Sequence, residues 1–303
     1  MDKQLDEILS AINEEKLFVD THKQIEPFHI YFKLKDFYKD RLTSADSLKM
    51  YMHHLKLEKC MSLMRQKNTG GALSMLAEVE RLDRNFPEFV QTGMDSLYLA
   101  MSSYQNYVLD YNVDEAIRKL KLSIRNGILQ SKDFPYFSLS IPTQWINVLR
   151  VLTRLKLKDE IIKECVELLN FTLFGLHDDE EIGEIYNNIG EAEHSLVIAD
   201  VFDNVIYNLE RSFEYEGMEE ILATIIDKVV GEDIITKCNH DNIIKVMTLL
   251  NDFNNKNYND FINKLYYRKR GLIDVPSSLK RIIIYNCQKL SSVNAYSEES
   301  IFV

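Results

Sequence analysis

One stretch of the sequence, residues 94–128, constrains the fold more than any other. In its first half the apolar residues recur three and four positions apart, which places them on one side of an α-helix. These residues are Leu97, Tyr98, Met101, Tyr104 and Val108. After a turn at 110–113, Asp114 and Glu115 suit the first turn of a second helix, where carboxylates favour the positive end of the helix dipole. Gly127 is expected to end that helix. Because the turn is short, the stretch predicts an antiparallel helical hairpin.

Weaker copies of this hairpin occur before and after it. Ala72, which follows a predicted break at 68–71, precedes Ala116 by 44 residues, and Ile161 follows Ala116 by 45. Phe202 lies 41 residues after Ile161, and Phe261 is a later match, delayed by an extra helix near 218–230. No single hairpin can bury its own apolar face, so quasi-repeats of this length predict a stack of helix pairs.

The composition supports a helical chain. Ten glycines and five prolines in 303 residues are too few for the many tight turns of sandwiches and barrels. The β-branched runs at 161–162 and 282–284 lie in windows that also fit helices, and such short runs do not decide between helix and strand. We therefore predict an all-α protein, of a length that suits one large domain or two ordinary ones.

Two segments resemble the tetratricopeptide repeat. Residues 186–190, Tyr-Asn-Asn-Ile-Gly, are similar to its bulky-x-x-Leu-Gly element, and residues 110–117 are similar to its turn followed by a small residue. The resemblance extends over about 45–270, although the spacing of 41 to 45 residues exceeds the roughly 34 of that family. It implies a right-handed α-solenoid of antiparallel helix pairs with a concave groove that binds a peptide or a helix and performs no chemistry. The implied groove residues are Tyr98, Ser102, Gln105, Gln144, Asn147, Asn187, Asn188 and Glu191.

The predicted organisation has three parts. Residues 1–44 form an N-terminal helical cap, 45–290 form the hairpin array, and 291–303 form a flexible tail. The four cysteines show no Cys-x-x-Cys spacing, which indicates a reducing compartment and buried thiols rather than nucleophiles. The acidic N-terminus is unlike a signal peptide, and no stretch has the roughly 20 apolar residues of a membrane span. We expect a soluble, cytoplasmic protein without a cofactor.

Charge is unevenly distributed along the chain. Residues 177–233 contain 17 acidic residues and two basic ones, a net charge of −15, whereas residues 264–289 have a net charge of +6. Such an asymmetry bears on the choice of partner rather than on the fold. The acidic segment predicts a basic protein or peptide ligand whose affinity falls with salt.

A metal site is the sharpest catalytic alternative. Glu26 with His29 and Glu191 with His194 each have the Glu-x-x-His spacing that places both side chains on one helix face, as in di-iron bundles. Solvated helix faces explain the same spacing, and Pro27 places Glu26 near a helix start. The run at 178–181 lacks the glycine of a calcium loop and suits the first turn of a helix instead.

Nucleic acid binding has one supporting segment. Residues 266–270, Tyr-Tyr-Arg-Lys-Arg, combine aromatic and cationic side chains, although binders usually present a wider basic face. The alternative is a purely structural role, in which the cations complement a helix C-terminus and both tyrosines pack inward.

The sequence favours a non-enzymatic scaffold that binds a protein or peptide. It contains neither a Gly-rich phosphate loop nor a nucleophile elbow. Two alternatives remain open. One is a peptide-responsive regulator whose N-terminal helices engage a second protein or DNA, and the other is a helical metalloenzyme.

Overall fold

The computed structural model describes residues 2–14, 27–108, 111–229, 241–268 and 275–299. These residues form fourteen α-helices and one short 3-10 helix at Pro135–Leu139, with no strand among them. The prediction of an all-α protein is confirmed. The helices are α1 (Asp2–Glu14), α2 (Pro27–Phe37), α3 (Ser44–Arg65), α4 (Thr69–Glu80), α5 (Glu88–Val108), α6 (Val113–Asp133), α7 (Ser140–Leu155), α8 (Lys158–Phe174), α9 (Glu180–Asn187), α10 (Glu191–Ser212), α11 (Tyr215–Val229), α12 (Asp241–Asn254), α13 (Tyr258–Arg268) and α14 (Ser277–Glu299).

The chain divides into two compact units. Unit 1 contains residues 1–24, 158–174 and 198–303, and unit 2 contains residues 25–157 and 175–197. The two helices of the predicted N-terminal cap therefore belong to different units. The boundary at 157/158 also separates α7 from α8, whereas the spacing that places Ile161 in the repeat series predicts a hairpin of these two helices. Helix α14 continues to Glu299, into the predicted tail, and residues 300–303 lie outside the described ones.

Unit 2 is built around two antiparallel hairpins, α3–α4 and α5–α6. Their starts are set by side-chain caps, because Thr43 forms a capping box with Asp46, and Asn68 and Asn112 each accept a hydrogen bond from a backbone N–H three residues later. Within α5–α6, Ser96 and Ser123 each donate a hydrogen bond to the other's backbone carbonyl, at 2.9 and 2.8 Å. These small side chains allow a close approach of the two helices.

Helix α6 does not end at Gly127 as predicted. It continues to Asp133, and Gly127 is buried within it. A Cβ atom at Gly127 would lie 3.4 Å from the Ile141 side chain and 3.6 Å from Ser140 Oγ. The glycine therefore gives space for packing rather than a left-handed turn, a distinction that depends on a residue more than a dozen positions away.

Unit 1 places α8 against α11, and α1 against α13 and α14. Leu5 and Ile8 of α1 are fully buried, and the Tyr266 hydroxyl donates to Glu7 Oε2 at 3.0 Å. In the hairpin α12–α13, Lys264 forms an ion pair with Asp252 at 2.7 Å. The first and last described helices of the chain, α1 and α14, thus pack against each other in unit 1.

One turn recurs at the ends of three helices. Lys67, Lys156 and Lys256 adopt left-handed φ values of 58°, 57° and 63°. In each turn the lysine N–H bonds the carbonyl three residues back, and the next N–H bonds the carbonyl five residues back, as in a Schellman motif. Tyr111, at φ 53°, occupies the same place between α5 and α6. The four positions are separated by 44, 45 and 100 residues.

The helices that follow these turns share a buried pattern. The fifth residue after each left-handed position is fully buried, and the ninth is at most 2% exposed. The fifth residues are Ala72, Ala116, Ile161 and Phe261, and the ninth residues are Leu76, Leu120, Cys165 and Leu265. The spacing seen in the sequence therefore corresponds to a repeated combination of turn and buried helix face.

Candidate binding site

The predicted groove residues of α5 have different environments. Tyr98 packs beside the core between α3 and α4, its hydroxyl lies 3.3 Å from Glu80 Oε1, and the Arg84 guanidinium covers its ring at 4.0 Å. Ser102 is 1% exposed, whereas Gln105 is partly exposed. Ser102 therefore presents no polar atom to solvent, and Tyr98 supports the packing of α5.

The predicted residues of α7 lie together. Gln144 is buried, and its Oε1 accepts a hydrogen bond from Asn147 Nδ2 at 3.3 Å. Asn147 Oδ1 in turn accepts from Arg150 Nη1 at 2.8 Å. This chain of three side chains leads from the core to an exposed guanidinium, so Asn147 is held in a fixed orientation.

Two neighbours of this cluster were absent from the sequence prediction. The Tyr107 hydroxyl donates to the backbone carbonyl of Arg150 at 3.1 Å, and the Arg154 guanidinium lies 4.4 Å from the centre of the Tyr107 ring. Arg150 and Arg154 are exposed, and Arg154 has no acidic partner among the described residues. We call Tyr107, Gln144, Asn147, Arg150 and Arg154 the α5–α7 face.

The sequence indicates the α7 residues of the α5–α7 face but not its α5 residue. Asn147, Arg150 and Arg154 are spaced three and four apart, so they share one side of α7. Nothing in the sequence identified Tyr107 as their partner, because the contact joins residues 43 or more positions apart.

Asn187 and Asn188, at the end of α9, are both exposed. Gly175 lies directly beside Asn187, since a Cβ at Gly175 would be 2.3 Å from Asn187 Nδ2. The side chain of Glu191 lies outside the described ones. Among the predicted groove residues, Gln144 and Asn147 are joined by a hydrogen bond between their side chains.

Of the predicted metal ligands, only His194 has a described side chain. Glu26 lies outside the described residues, and so do the side chains of His29 and Glu191. His194 is 7% exposed, its Nε2 donates to the Tyr186 carbonyl, and its ring stacks on the Tyr186 ring at 4.5 Å. That nitrogen is therefore used in packing α10 against α9. Within the described ranges, no group of three His, Cys, Asp or Glu residues could hold a metal ion.

Three of the four cysteines are described, and all are buried. Burial raises the pKa of the Cys60 thiol to about 11 and that of the Cys287 thiol to about 12, and it also raises the pKa of Cys165. These thiols are protonated at neutral pH and act as small apolar side chains, as the sequence predicted. Cys238 lies outside the described residues.

Some carboxylates of the acidic segment are paired inside their own unit. In unit 1, Glu219 pairs with Lys289 at 3.1 Å, and Glu220 pairs with Lys158 at 2.7 Å. In unit 2, Lys132 lies 3.0 Å from Asp179 and 2.8 Å from Glu181, and these hydrogen bonds raise the pKa of Lys132. Lys289 and Arg281 of the basic segment, together with lysines from elsewhere in the chain, thus neutralise part of the acidic segment.

The two tyrosines of the aromatic and basic segment at 266–270 have different environments. Tyr266 is half-buried against α1, whereas Tyr267 is 85% exposed, so the prediction that both tyrosines pack inward is wrong for Tyr267. Residues 269 and 270 lie outside the described ones.

Comparisons of the chain with protein-family models, with curated proteins and with solved structures found no match. In the described part of the chain, no helix combines the length and apolar character needed to cross a membrane.

Proposed function

We propose that the protein is a non-enzymatic, tetratricopeptide-like helical scaffold that binds a protein or peptide segment. The recurring turn and the shared buried pattern at Ala72, Ala116, Ile161 and Phe261 support a solenoid of related hairpins. The observation that carries the binding role is the α5–α7 face, where Arg154 covers Tyr107 and presents its guanidinium to solvent.

The chemistry of this face favours a ligand that carries carboxylates. Arg154 presents its guanidinium on the same side of α7 as Arg150, and a guanidinium binds a carboxylate through two parallel hydrogen bonds. Stacking on Tyr107 keeps the Arg154 side chain ordered, which reduces the entropy lost on binding. The alternative ligand is the basic one expected from the acidic segment, whose carboxylates are already partly paired.

A peptide-binding experiment tests this proposal. The full chain is titrated into two pools of fluorescent peptides of equal length, one rich in Asp and Glu and the other rich in Lys and Arg, and fluorescence anisotropy is recorded. We expect binding of the acidic pool that weakens with salt. Replacing Arg154 by alanine should weaken it about tenfold, or about 1.4 kcal/mol.

Arg211→Ala is the matched control. Arg211 is also exposed and also covers a tyrosine ring, that of Tyr207, at 5.4 Å in unit 1. This variant should bind the acidic pool as the unaltered chain does. Binding of the basic pool alone would assign recognition to the acidic segment instead, and binding of neither pool would contradict the scaffold role.

The regulator alternative finds less support. Leu5 and Ile8 of α1 are fully buried in unit 1. A role in which α1 engages a second protein or DNA would therefore require α1 to leave this core.

A further inference from the structure

Helix α3 exposes an apolar stripe. Leu48, Tyr51, Met52 and Leu55 are 61, 40, 41 and 38% exposed, and their spacing of three, one and three places them on one side of the helix. Phe32 of α2, 44% exposed, extends the stripe, because its ring lies 4.9 Å from that of His54. A surface helix normally presents polar side chains here, so the stripe indicates an interaction surface.

The opposite side of α3 is already used. Leu57, Cys60 and Met64 are buried in a core shared with α4 and α5, and the Cys60 thiol donates to the Ala72 carbonyl at 3.5 Å. The stripe is therefore a second apolar surface on the same helix. In the described part of the chain α3–α4 is the first antiparallel hairpin, and the terminal unit of a repeat array usually has a polar outer face.

The stripe is complementary to itself. Residues 48–55 read Leu-x-x-Tyr-Met-x-x-Leu, an apolar pattern that is the same in both directions. If two copies of α3 cross antiparallel about a twofold axis between Tyr51 and Met52, each Leu48 lies opposite the second copy's Leu55. Each Tyr51 then lies opposite the second copy's Met52. A twofold interface requires this kind of self-complementary surface.

The charged residues at the ends of the stripe agree with an antiparallel arrangement. Glu58 and Lys59 are exposed one turn beyond Leu55. In that arrangement they lie opposite the first turn of the second copy's α3. The Glu58 carboxylate would be near the N-terminus of the second copy's α3, where negative charge is favoured. A parallel arrangement would instead place like charges side by side.

We propose that the exposed stripe of α3 is a homodimer interface formed by two antiparallel copies of this helix. The proposal does not depend on the α5–α7 face. Stable interfaces bury about 800 Å² on each partner, and a stripe of two helical turns supplies less. The dimer should therefore be weak and dependent on protein concentration.

Analytical ultracentrifugation of the full chain tests the proposal. We expect a monomer–dimer equilibrium for the unaltered protein and at least a tenfold increase in the dissociation constant for Met52→Glu. The matched control is Leu129→Glu, which places the same charge at a position on α6 that is 45% exposed and outside the stripe. It should dimerise as the unaltered protein does. Equal far-UV circular dichroism of the three proteins establishes that all are folded.

A cysteine at position 52 tests the register. Two copies of Met52 lie next to the proposed axis, so Met52→Cys should form a disulfide-linked dimer on mild oxidation, whereas Leu129→Cys should not. The proposal is overturned if the unaltered protein stays monomeric up to about 1 mM. It is also overturned if Met52→Glu dimerises normally, or if both cysteine variants cross-link at the same rate.

Discussion

Gly183 occupies the tightest position among the described glycines. A Cβ atom there would lie 1.9 Å from the carbonyl oxygen of Gly175, far inside any allowed contact. Gly175 itself adopts a left-handed φ of 65°, so the backbone at this oxygen has little freedom to move. The start of α9 thus depends on two glycines that face each other.

Replacing Gly183 by alanine should lower the free energy of unfolding by about 3 kcal/mol, because backbone rather than a flexible side chain must move. The midpoint of urea unfolding measures the change. Gly70→Ala is the control, since a Cβ at Gly70 meets nothing within 4 Å. That variant should gain up to about 1 kcal/mol, because alanine is the better helix former. Equal stabilities of the two variants would contradict the close contact at Gly175.

Buried histidines should make the stability of the protein depend on pH. The His54 ring is 3% exposed and stacks on the Tyr31 ring at 4.1 Å. Burial lowers its pKa, an effect that the carboxylate of Glu58 partly opposes, and burial also lowers the pKa of His53 and His194. In the unfolded chain a histidine has its ordinary pKa of about 6.5.

Unfolding therefore takes up protons below about pH 6.5, and the stability present above that pH is lost as the pH falls toward the lowered pKa values. Each histidine contributes a slope of up to about 1.4 kcal/mol per pH unit. The urea concentration at the unfolding midpoint should decrease as the pH is lowered from about 7.5 to about 5.5. The fall should be smaller in His54→Gln, and a midpoint that is constant or rises toward acid pH would refute this account.

At the scale of single elements, the recurrent turn uses lysine where glycine is the common residue. A non-glycine residue in the left-handed region costs about 1 to 2 kcal/mol, and Lys67 adopts that conformation between α3 and α4. Its neighbour Asn68 provides the cap that starts α4. The turn therefore retains its geometry through backbone hydrogen bonds and the cap, despite the unfavourable φ.

Lys67→Gly should raise the free energy of unfolding by up to about 1 kcal/mol, because it removes the steric cost of positive φ. Lys59→Gly should have the opposite effect, a loss of about 1 kcal/mol, because Lys59 is an exposed residue inside α3. Urea unfolding of both variants gives the comparison. A loss of stability in both would mean that the Lys67 side chain, rather than its backbone conformation, determines the effect.

At the scale of the whole molecule, the chain passes between units 1 and 2 four times. Unit 1 is assembled from three separate segments, and α10 begins in unit 2 and ends in unit 1. If one unit unfolds alone, its segments become flexible loops whose ends are still held by the other unit. Closing these loops costs chain entropy, which makes the partly unfolded state unfavourable. We therefore expect the two units to unfold together.

Trp145 tests this expectation, because it is the one tryptophan of the sequence and is buried in unit 2. Phe261→Ala in unit 1 removes a fully buried ring and should cost about 3 to 5 kcal/mol. The urea midpoint of Trp145 fluorescence should fall with that of far-UV circular dichroism. Tyr267→Ala, an 85% exposed position on the same helix, should leave both midpoints unchanged. An unaltered Trp145 midpoint in Phe261→Ala would show that the units unfold independently.

The sequence alone determined that the chain is helical, where several helices begin, and part of the face that each helix buries. Apolar spacing depends only on local geometry, and Thr43, Asn68 and Asn112 cap helices through residues at most three positions away. The spacing that relates Ala72, Ala116 and Phe261 was visible in the sequence, and each of these residues is the fifth after a left-handed position.

Only the tertiary structure decided which helices belong to one unit and which side chains form a site. Three findings depend on residues distant in sequence. They are the separation of α7 from α8, the continuation of α6 beyond Gly127 and the stacking of Arg154 on Tyr107. Of the predicted groove, Gln144 and Asn147 were found together because they share one helix, whereas the burial of Ser102 was not foreseen. Helical periodicity specifies one buried face, but the partner that covers it is selected by long-range packing.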